Sequence, residues 1–137
     1  MDIGALGSVD CSRFTVMIVD DIAINTKLLA KLLEPASFKA VLQYNNSQQA
    51  LDSILSGERP DIVLLDVMMP GVDGFSFLAA VRERYSTEEV SVIMVSAVSE
   101  SEEVMRATNM GANDYLTKPI NAKRLYASIA AQISKLQ

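Results

Sequence analysis

Short apolar runs recur along the chain, and more polar segments separate them. The runs are rich in Val, Ile, Leu and Met, which is typical of strands that are covered on both faces of a sheet. They are TVMIV (15–19), FKAVLQY (38–44), DIVLL (61–65), VSVIMV (90–95) and a weaker NDYLT (113–117). The pattern therefore predicts five strands.

After each run, apolar residues recur at helical spacing, which predicts five helices. The clearest stripe is the last one, with Leu125, Ile129, Ile133 and Leu136. Local signals also mark some of the helix ends. They are a capping box at Ser99 and Glu102, an N-cap at Asn121, and helix stops at Gly57 and Gly111.

The alternation of strands and helices is typical of a parallel sheet with helices on both faces. The chain has 137 residues, which fits a single domain. We predict a short tail at residues 1–12 and one α/β domain at residues 13–137. In such a sheet the carboxyl ends of all strands meet at one edge, where ligands of open α/β sheets bind.

Four of the five predicted strands end at polar groups that could take part in chemistry. Asp20 and Asp21 close the first strand, Asp66 the third, Ser96 the fourth and Lys118 the fifth. Taken alone, each is explained as a helix cap, a turn residue or a solvated side chain. Together they converge on one edge of the sheet, which indicates a shared site.

Composition narrows the chemistry of this site. The chain has no histidine and one cysteine, Cys11 in the predicted tail. Hydrolase triads, histidine zinc sites and Cys–His thiol chemistry are therefore excluded. The formal net charge of −5 argues against direct binding of nucleic acid or of an anionic membrane. The first residues lack a signal-peptide pattern and no apolar run is long enough to span a membrane, so we expect a cytoplasmic protein.

The groups at the strand ends fit phosphoryl chemistry. Three carboxylates repel one another unless a cation lies among them, and a site made of oxygen ligands suits Mg²⁺. A lysine and a hydroxyl group suit an anion with several oxygens, such as a phosphoryl group. Phosphoryl transfer depends mainly on alignment and charge neutralisation, and an aspartate can be the nucleophile.

The same residues lie in strings that resemble response-regulator receiver domains. The strings are VDDIAIN (19–25), LLDVMMPGVDG (64–74), VSA (95–97) and GANDYLTKP (111–119). The resemblance spans residues 13–136 and implies a flavodoxin-like, doubly wound sheet of five strands in the order 2-1-3-4-5 with five helices. It implies a signalling phosphoacceptor that assists its own phosphorylation and dephosphorylation and is not otherwise an enzyme.

By position, the resemblance assigns Asp66 as the acceptor of a phosphoryl group from a phosphohistidine. The donor would be a sensor histidine kinase or a histidine phosphotransfer protein. Asp21 and Asp66 would bind Mg²⁺ through their side chains, Met68 through its backbone carbonyl, and Asp20 mostly through a metal-bound water. Lys118 would pair with Asp66 and then with the phosphoryl oxygens.

The resemblance also implies a switch and a shaped loop. Ser96 would turn toward the phosphoryl group, and Tyr115 would follow it from an exposed to a buried rotamer, so that the segment after the fourth strand changes state. Asn25 is interpreted as a helix-start residue and not as a ligand. The residues that would shape the loops are Pro70, Gly71, Gly74 and Pro119. The peptide bond before Pro119 would be cis.

Three other functions have requirements that can be compared with these residues. A phosphohydrolase of the haloacid-dehalogenase type needs a second acid two residues after the nucleophile, where Met68 stands. A flavin-binding domain needs a phosphate-cradling loop after the first strand, where DDIAIN (20–25) would repel a phosphate. A degenerate receiver that acts only as a protein-interaction module stays the alternative. The string NDYLTKPIN (113–121) also resembles receivers that precede cyclic-dinucleotide enzymes, although the effector is not otherwise indicated.

Charges on two predicted helices suggest a homodimer. Glu100, Glu102 and Glu103 begin the fourth helix, while Lys123 and Arg124 begin the fifth. These opposite charges could cross-pair in a homodimer that phosphorylation favours. Ordinary solvated helix faces explain them equally well.

Overall fold

The computed structural model describes residues 2–136, and within them five parallel strands alternate with five α-helices. The elements are β1 (Thr15–Val19), α1 (Ala23–Leu33), β2 (Ala40–Tyr44), α2 (Ser47–Leu55), β3 (Ile62–Asp66), α3 (Gly74–Arg84), β4 (Ser91–Ser96), α4 (Ser101–Asn109), β5 (Asp114–Thr117) and α5 (Ala122–Leu136). The sheet order is β2-β1-β3-β4-β5, which confirms the predicted doubly wound sheet. Met1 and Gln137, which the predicted tail and domain include, lie outside the described residues.

A hydrophobic core covers each face of the sheet, and successive strand residues alternate between the two cores. In β1, Met17 faces the core made with α2, α3 and α4, while Val16 and Ile18 face the core made with α1 and α5. The same alternation holds in β3, where Val63 and Leu64 belong to different cores. Both faces need apolar side chains, which is why the strands read as nearly continuous apolar runs.

The longest helix, α5, confirms the predicted stripe. It has 15 residues, and Leu125, Ile129 and Ile133 are fully buried in the core that it shares with α1. Leu136 is partly buried at the edge of the same core. None of the helices within residues 2–136 combines the length and apolar character that a membrane span requires.

Three of the predicted helix ends are confirmed. The Oδ1 atom of Asn121 accepts a hydrogen bond from the backbone N–H of Arg124 (3.0 Å), so Asn121 caps α5. Gly57 and Gly111 follow α2 and α4 with positive φ angles of 114° and 99°. This left-handed backbone is favoured by glycine and stops a helix.

The capping box predicted for α4 is wrong. The helix begins at Ser101, and Glu100 occupies the N-cap position with an extended backbone. Within the described residues no side chain caps this end of the helix. Because the helix starts two residues after Ser99, the spacing from Ser99 to Glu102 is no longer that of a capping box.

The segment predicted as a tail packs on the domain. Gly4–Ser8 form a short 3₁₀ helix against α5. Leu6 is 1% exposed and Cys11 is 3% exposed, and both belong to the core between α1 and α5. Cys11 is therefore a small buried residue of the core, and residues before position 13 contribute to the fold.

Candidate functional site

The carboxyl edge of the sheet brings together four of the predicted site residues. Asp20 and Asp21 directly follow β1, Asp66 ends β3, and Lys118 follows β5. Because β1 and β3 are parallel neighbours, their ends lie side by side. One oxygen from each of the three carboxylates lies within 4.8 Å of the others. Asp20 and Asp66 are buried, whereas Asp21 is exposed.

Asp66 is held at this edge by the buried strand that it ends. It is 5% exposed, and the N–H of the next residue, Val67, donates to the carbonyl of Val95 on β4 (3.1 Å). Burial raises the pKa of the Asp66 carboxyl, the charge of Asp20 raises it further, and Lys118 partly offsets both effects. A cation bound here would stabilise the ionised form of Asp66.

Lys118 is shared equally between two carboxylates. Its Nζ atom lies 3.2 Å from Oδ1 of Asp66 and 3.2 Å from Oδ2 of Asp20. Burial alone would lower the pKa of Lys118, but the charges of Asp66 and Asp20 outweigh it and raise this pKa. The lysine is therefore positively charged at neutral pH. The Lys118–Pro119 peptide bond is cis, as the resemblance implies.

Asp20 accepts hydrogen bonds on both carboxylate oxygens. The backbone N–H of Ile22 donates to Oδ1 (2.9 Å), and Nδ2 of Asn25 donates to Oδ2 (3.1 Å). Asn25 does lie in the first turn of α1, as predicted. Its side chain also reaches the site, which the sequence analysis did not anticipate.

Asn45 is a second residue that the sequence analysis missed. Its Nδ2 atom donates to the backbone carbonyl of Asp20 (2.9 Å) and to Oγ1 of Thr26 (3.1 Å). Asn45 directly follows β2, the one strand whose end was not assigned to the site. Its sequence signal is the same as that of the other site residues, a polar side chain at the carboxyl end of a strand, although this one is an amide.

The loop after Asp66 turns away from the sheet edge. Met68 extends its side chain into solvent and is 68% exposed, and Gly71 has a positive φ of 76°. The carbonyl of Pro70 lies 3.5 Å from Oγ of Ser47, at the start of α2. The contribution of the Met68 carbonyl to a metal site stays a prediction.

Gly74 lies where the loop returns to the end of β3. A Cβ atom at this position would be 2.6 Å from the carbonyl oxygen of Asp66 and 2.6 Å from Cα of Val67. The N–H of Gly74 donates to the carbonyl of Val67 (2.9 Å). No side chain fits against this backbone, so glycine is required for the close return of the loop.

Ser96 and Tyr115 are connected through the loop that follows β4. Ser96 is fully buried, and its Oγ atom accepts a hydrogen bond from the N–H of Val98 (3.1 Å). The hydroxyl of Tyr115, a half-buried residue of β5, donates to the carbonyl of Val98 (2.6 Å). Burial raises the pKa of Tyr115. The exchange of rotamers at Tyr115 stays a prediction.

An apolar surface borders the site on the α1 side. Ile22, Ile24 and Leu28 are 51%, 72% and 56% exposed; we call these three residues the α1 apolar surface. Beside them, a cavity of about 220 Å³ lies between α1 and the loop after β5, with Lys118 and Ile120 in its lining. Large exposed apolar groups in such a cluster are typical of a binding surface.

Comparison with known proteins identifies the class to which this fold and site belong. The family model of the response regulator receiver domain matches residues 16–130, so the chain belongs to this family of two-component signalling domains. This confirms the resemblance found in the sequence.

Two relatives illustrate how the domain occurs. The chain is 32% identical over 121 residues to the phosphate regulon transcriptional regulatory protein PhoB of Pseudomonas aeruginosa. It is 34% identical over 114 residues to the response regulator PleD of Caulobacter vibrioides. These matches cover 88% and 83% of this chain but 52% and 25% of the two relatives. The chain therefore spans about half the length of PhoB and a quarter of that of PleD.

Solved structures agree with the family. A protein described as a two-component system response regulator with a GGDEF domain superposes with a TM-score of 0.85 and 25% identity, over 96% of this chain and 53% of that one. The flavodoxin-like receiver fold with strand order 2-1-3-4-5 is thus confirmed.

Proposed function

We propose that this domain accepts a phosphoryl group on Asp66 from a phosphohistidine of a partner protein and passes the signal on by a change of conformation. The observation that carries the proposal is the position of Lys118, whose Nζ atom lies 3.2 Å from both Asp66 and Asp20. This is the arrangement in which a phosphoryl group on Asp66 would meet a fixed positive charge. A degenerate receiver would be expected to lack one of these charged groups, and all of them are present.

The carboxylate cluster fits a magnesium ion. Oxygens bound to one Mg²⁺ ion at about 2.1 Å are separated by about 3 to 4 Å. The oxygens of Asp20, Asp21 and Asp66 lie within 4.8 Å of one another, so small side-chain rotations would bring them to this spacing. We assign the direct contacts to Asp21, Asp66 and the Met68 carbonyl, and a water-mediated contact to Asp20. When bound, the ion would neutralise charge on the carboxylates and on the phosphoryl oxygens.

The residues of the chain then have distinct roles in the transfer. One carboxylate oxygen of Asp66 forms a bond to phosphorus while the bond from phosphorus to the imidazole nitrogen breaks, and that bond's electron pair leaves with the imidazole. Lys118 is positioned to balance negative charge on the transferred group, because its Nζ atom lies 3.2 Å from Oδ1 of Asp66. The hydroxyl of Ser96 is the hydrogen-bond donor at the end of β4.

The α1 apolar surface is the proposed contact for the phosphohistidine partner. A donor must bring its imidazole to Asp66, so the donor has to cover the residues that surround the site. Ile22 and Ile24 lie within four residues of Asp20 and expose more than half of their surface. Burial of such apolar side chains supplies the main favourable term in association. We infer that the partner presents an apolar helix face here, as a sensor kinase or a histidine phosphotransfer protein of the cytoplasm.

The signal is proposed to leave through the loop after β4. Phosphorylation would draw the Ser96 hydroxyl toward the phosphoryl group, and this rotation would weaken the hydrogen bond that its Oγ atom accepts from the N–H of Val98. The hydroxyl of Tyr115, on β5, donates to the carbonyl of the same residue. A shift of Val98 would therefore displace or break this hydrogen bond. The effector that responds stays unassigned.

The homodimer stays a prediction. Arg124 already donates two hydrogen bonds to Asp114 of the same chain (2.9 and 3.0 Å), so it is engaged within one molecule. Lys123 and the acidic residues Glu100 and Glu102 are exposed. A cross-pair between copies would therefore depend more on Lys123 than on Arg124.

Phosphorylation can be tested with acetyl phosphate and Mg²⁺, followed by intact mass measurement. We expect the wild-type chain to gain the mass of one phosphoryl group, and we expect Asp66→Ala and Asp66→Asn to gain none. Asp73→Ala is the matched control, because Asp73 caps α3 in the same loop and lies outside the carboxylate cluster. A folded wild-type chain without a mass gain, or an undiminished gain in both Asp66 variants, contradicts the proposal and favours a degenerate receiver.

A further inference from the structure

Asn25 joins α1 to the charged site. Its Nδ2 atom donates to Oδ2 of Asp20 at 3.1 Å, and the Nζ atom of Lys118 lies 3.2 Å from the same oxygen. Asp20 is 3% exposed, so solvent can replace little of what these donors supply. Oδ2 is therefore shared between one charged donor, which is also bonded to Asp66, and one neutral donor fixed to the helix.

During phosphorylation, Lys118 would leave Oδ2 of Asp20, whereas Asn25 would stay bonded to it. Lys118 would follow the negative charge onto the phosphoryl oxygens, since it is equally close to Asp66. Asp20 would then keep only the donors that belong to its own loop and helix, namely the Ile22 N–H at 2.9 Å and the Asn25 amide. Hydrogen bonds to a buried charged group are among the stronger ones in proteins.

We infer that Asn25 is a positioning residue of the phosphoacceptor site and acts through Asp20. It holds the Asp20 carboxylate in orientation for the metal while Lys118 moves between Asp66 and the phosphoryl group. This inference rests on the proposed function, because it assigns Asn25 a part in metal binding and transfer. It replaces the interpretation of Asn25 as only a helix-start residue.

A merely structural role makes a different prediction. The N–H of Asn25 donates to the carbonyl of Ile22 (3.0 Å) as the first turn of α1 forms, and this backbone bond survives any change of the side chain. If the side chain only supported the helix, its removal would change the unfolding midpoint and leave Mg²⁺ affinity unchanged. Affinity for the metal alone therefore separates the two roles.

The test compares four purified variants of the chain with the wild type. Asn25→Ala and Asn25→Ser remove the amide donor, and Asn25→Gln keeps one on a longer side chain. Asn109→Ala is the control, because Asn109 is an exposed asparagine on α4. Each variant is titrated with Mg²⁺ in a calorimeter, unfolded thermally under circular dichroism, and phosphorylated with acetyl phosphate.

We expect Asn25→Ala and Asn25→Ser to raise the Mg²⁺ dissociation constant by about 10-fold, the lower end of the usual range for loss of a hydrogen-bond partner of a metal ligand, because Asp20 is assigned a water-mediated contact. Asn25→Gln should bind Mg²⁺ more tightly than Asn25→Ala, and Asn109→Ala should match the wild type. The inference is overturned if all Asn25 variants stay within about twofold of the wild type, or if Asn25→Gln is as weak as Asn25→Ala. A wild type that gains no phosphoryl group overturns the proposed function as well, whereas a phosphorylated wild type with normal Asn25 variants overturns this inference alone.

Discussion

At the scale of single residues, Gly74 shows how closely the loop is fitted to the acceptor. A methyl group at this position would lie 2.6 Å from the carbonyl oxygen of Asp66 and from Cα of Val67. Both are backbone atoms of a buried segment, so neither can move away as a flexible side chain would. The conformation of the loop and the position of Asp66 therefore depend on the absence of a Cβ atom at position 74.

We expect Gly74→Ala to lower the free energy of unfolding by about 2 kcal/mol, since overpacking against a fixed backbone is destabilising. It should also slow phosphorylation by acetyl phosphate, because the relief of the clash displaces Asp66. Gly7→Ala is the control: its added methyl group would meet only an Ile3 side-chain atom at 3.8 Å, an ordinary contact. Urea unfolding and intact mass measurement give the two results. Equal stability of the two variants would contradict the close contact at Gly74.

The sequence predicted the charged residues of the site and missed their neutral partners for a physical reason. Asp66 and Lys118 could be located because parallel strands place their carboxyl ends at one edge. The bonds of Asn25 and Asn45 to Asp20 depend on side-chain rotamers and on the path of two loops. Neither is encoded in the spacing of apolar residues, so only the structure reveals these contacts.

At the scale of secondary structure, α4 is the helix least secured by packing. The structure describes all residues of α4, and of these only Ala107 is buried. In α5, by contrast, a wide face is buried. No side chain caps the start of α4. One contact of the helix with its surroundings is made by its own Arg106, whose guanidinium lies over the ring of Phe75 on α3 at 4.0 Å. A helix that buries so few apolar side chains can shift at a low cost in free energy. This property is consistent with the proposed signal through the loop between β4 and α4.

The sequence predicted that α4 is a helix, but it did not predict the residue at which the helix begins. The predicted capping box required Ser99 at the N-cap, whereas the extended backbone of Glu100 delays the helix to Ser101. Capping signals are short and depend on where the preceding loop places the chain. The glycines that end helices, such as Gly111, were predicted correctly, because their positive φ angles are unfavourable for most other residues.

The exposed start of α1 leads to a prediction about the partner. We expect Ile24→Glu to slow phosphotransfer from a phosphorylated histidine kinase that is active on the wild-type chain, by about tenfold or more, because a charge would be buried in an apolar contact. Phosphorylation by acetyl phosphate should stay unchanged, since this small donor needs no such contact. Radiolabelled phosphotransfer and intact mass measurement provide the two rates.

Met105→Glu is the matched control for this experiment. Met105 is 61% exposed, which is close to the 72% of Ile24, but it lies on α4. The α1 apolar surface is not the donor contact if both variants slow kinase transfer equally. The same conclusion follows if Ile24→Glu also slows phosphorylation by acetyl phosphate, because the damage would then lie in the site itself.

At the scale of the whole molecule, the fold contains more of the chain than the sequence indicated. The segment before β1 has few apolar residues, and they do not recur at helix or strand spacing, so it was predicted to be a tail. A single buried leucine in a short 3₁₀ helix produces no periodic pattern. In the structure this segment packs against α5 and adds Leu6 and Cys11 to the core that α1 and α5 share. Long-range packing of this kind depends on α5 being in place, so local sequence does not reveal it.

This packing predicts that Leu6 contributes to stability and not to the chemistry. Leu6 is 1% exposed, and replacement of a buried leucine by alanine costs about 2 to 5 kcal/mol. We expect Leu6→Ala to lower the free energy of unfolding within this range, and Leu28→Ala, at a leucine that is 56% exposed, to lower it by much less. Both variants should take up a phosphoryl group from acetyl phosphate at temperatures where they are folded, because Asp66 and its partners lie at the carboxyl edge of the sheet. Urea unfolding that shows equal, small losses for the two variants would mean that the first dozen residues behave in solution as the predicted tail.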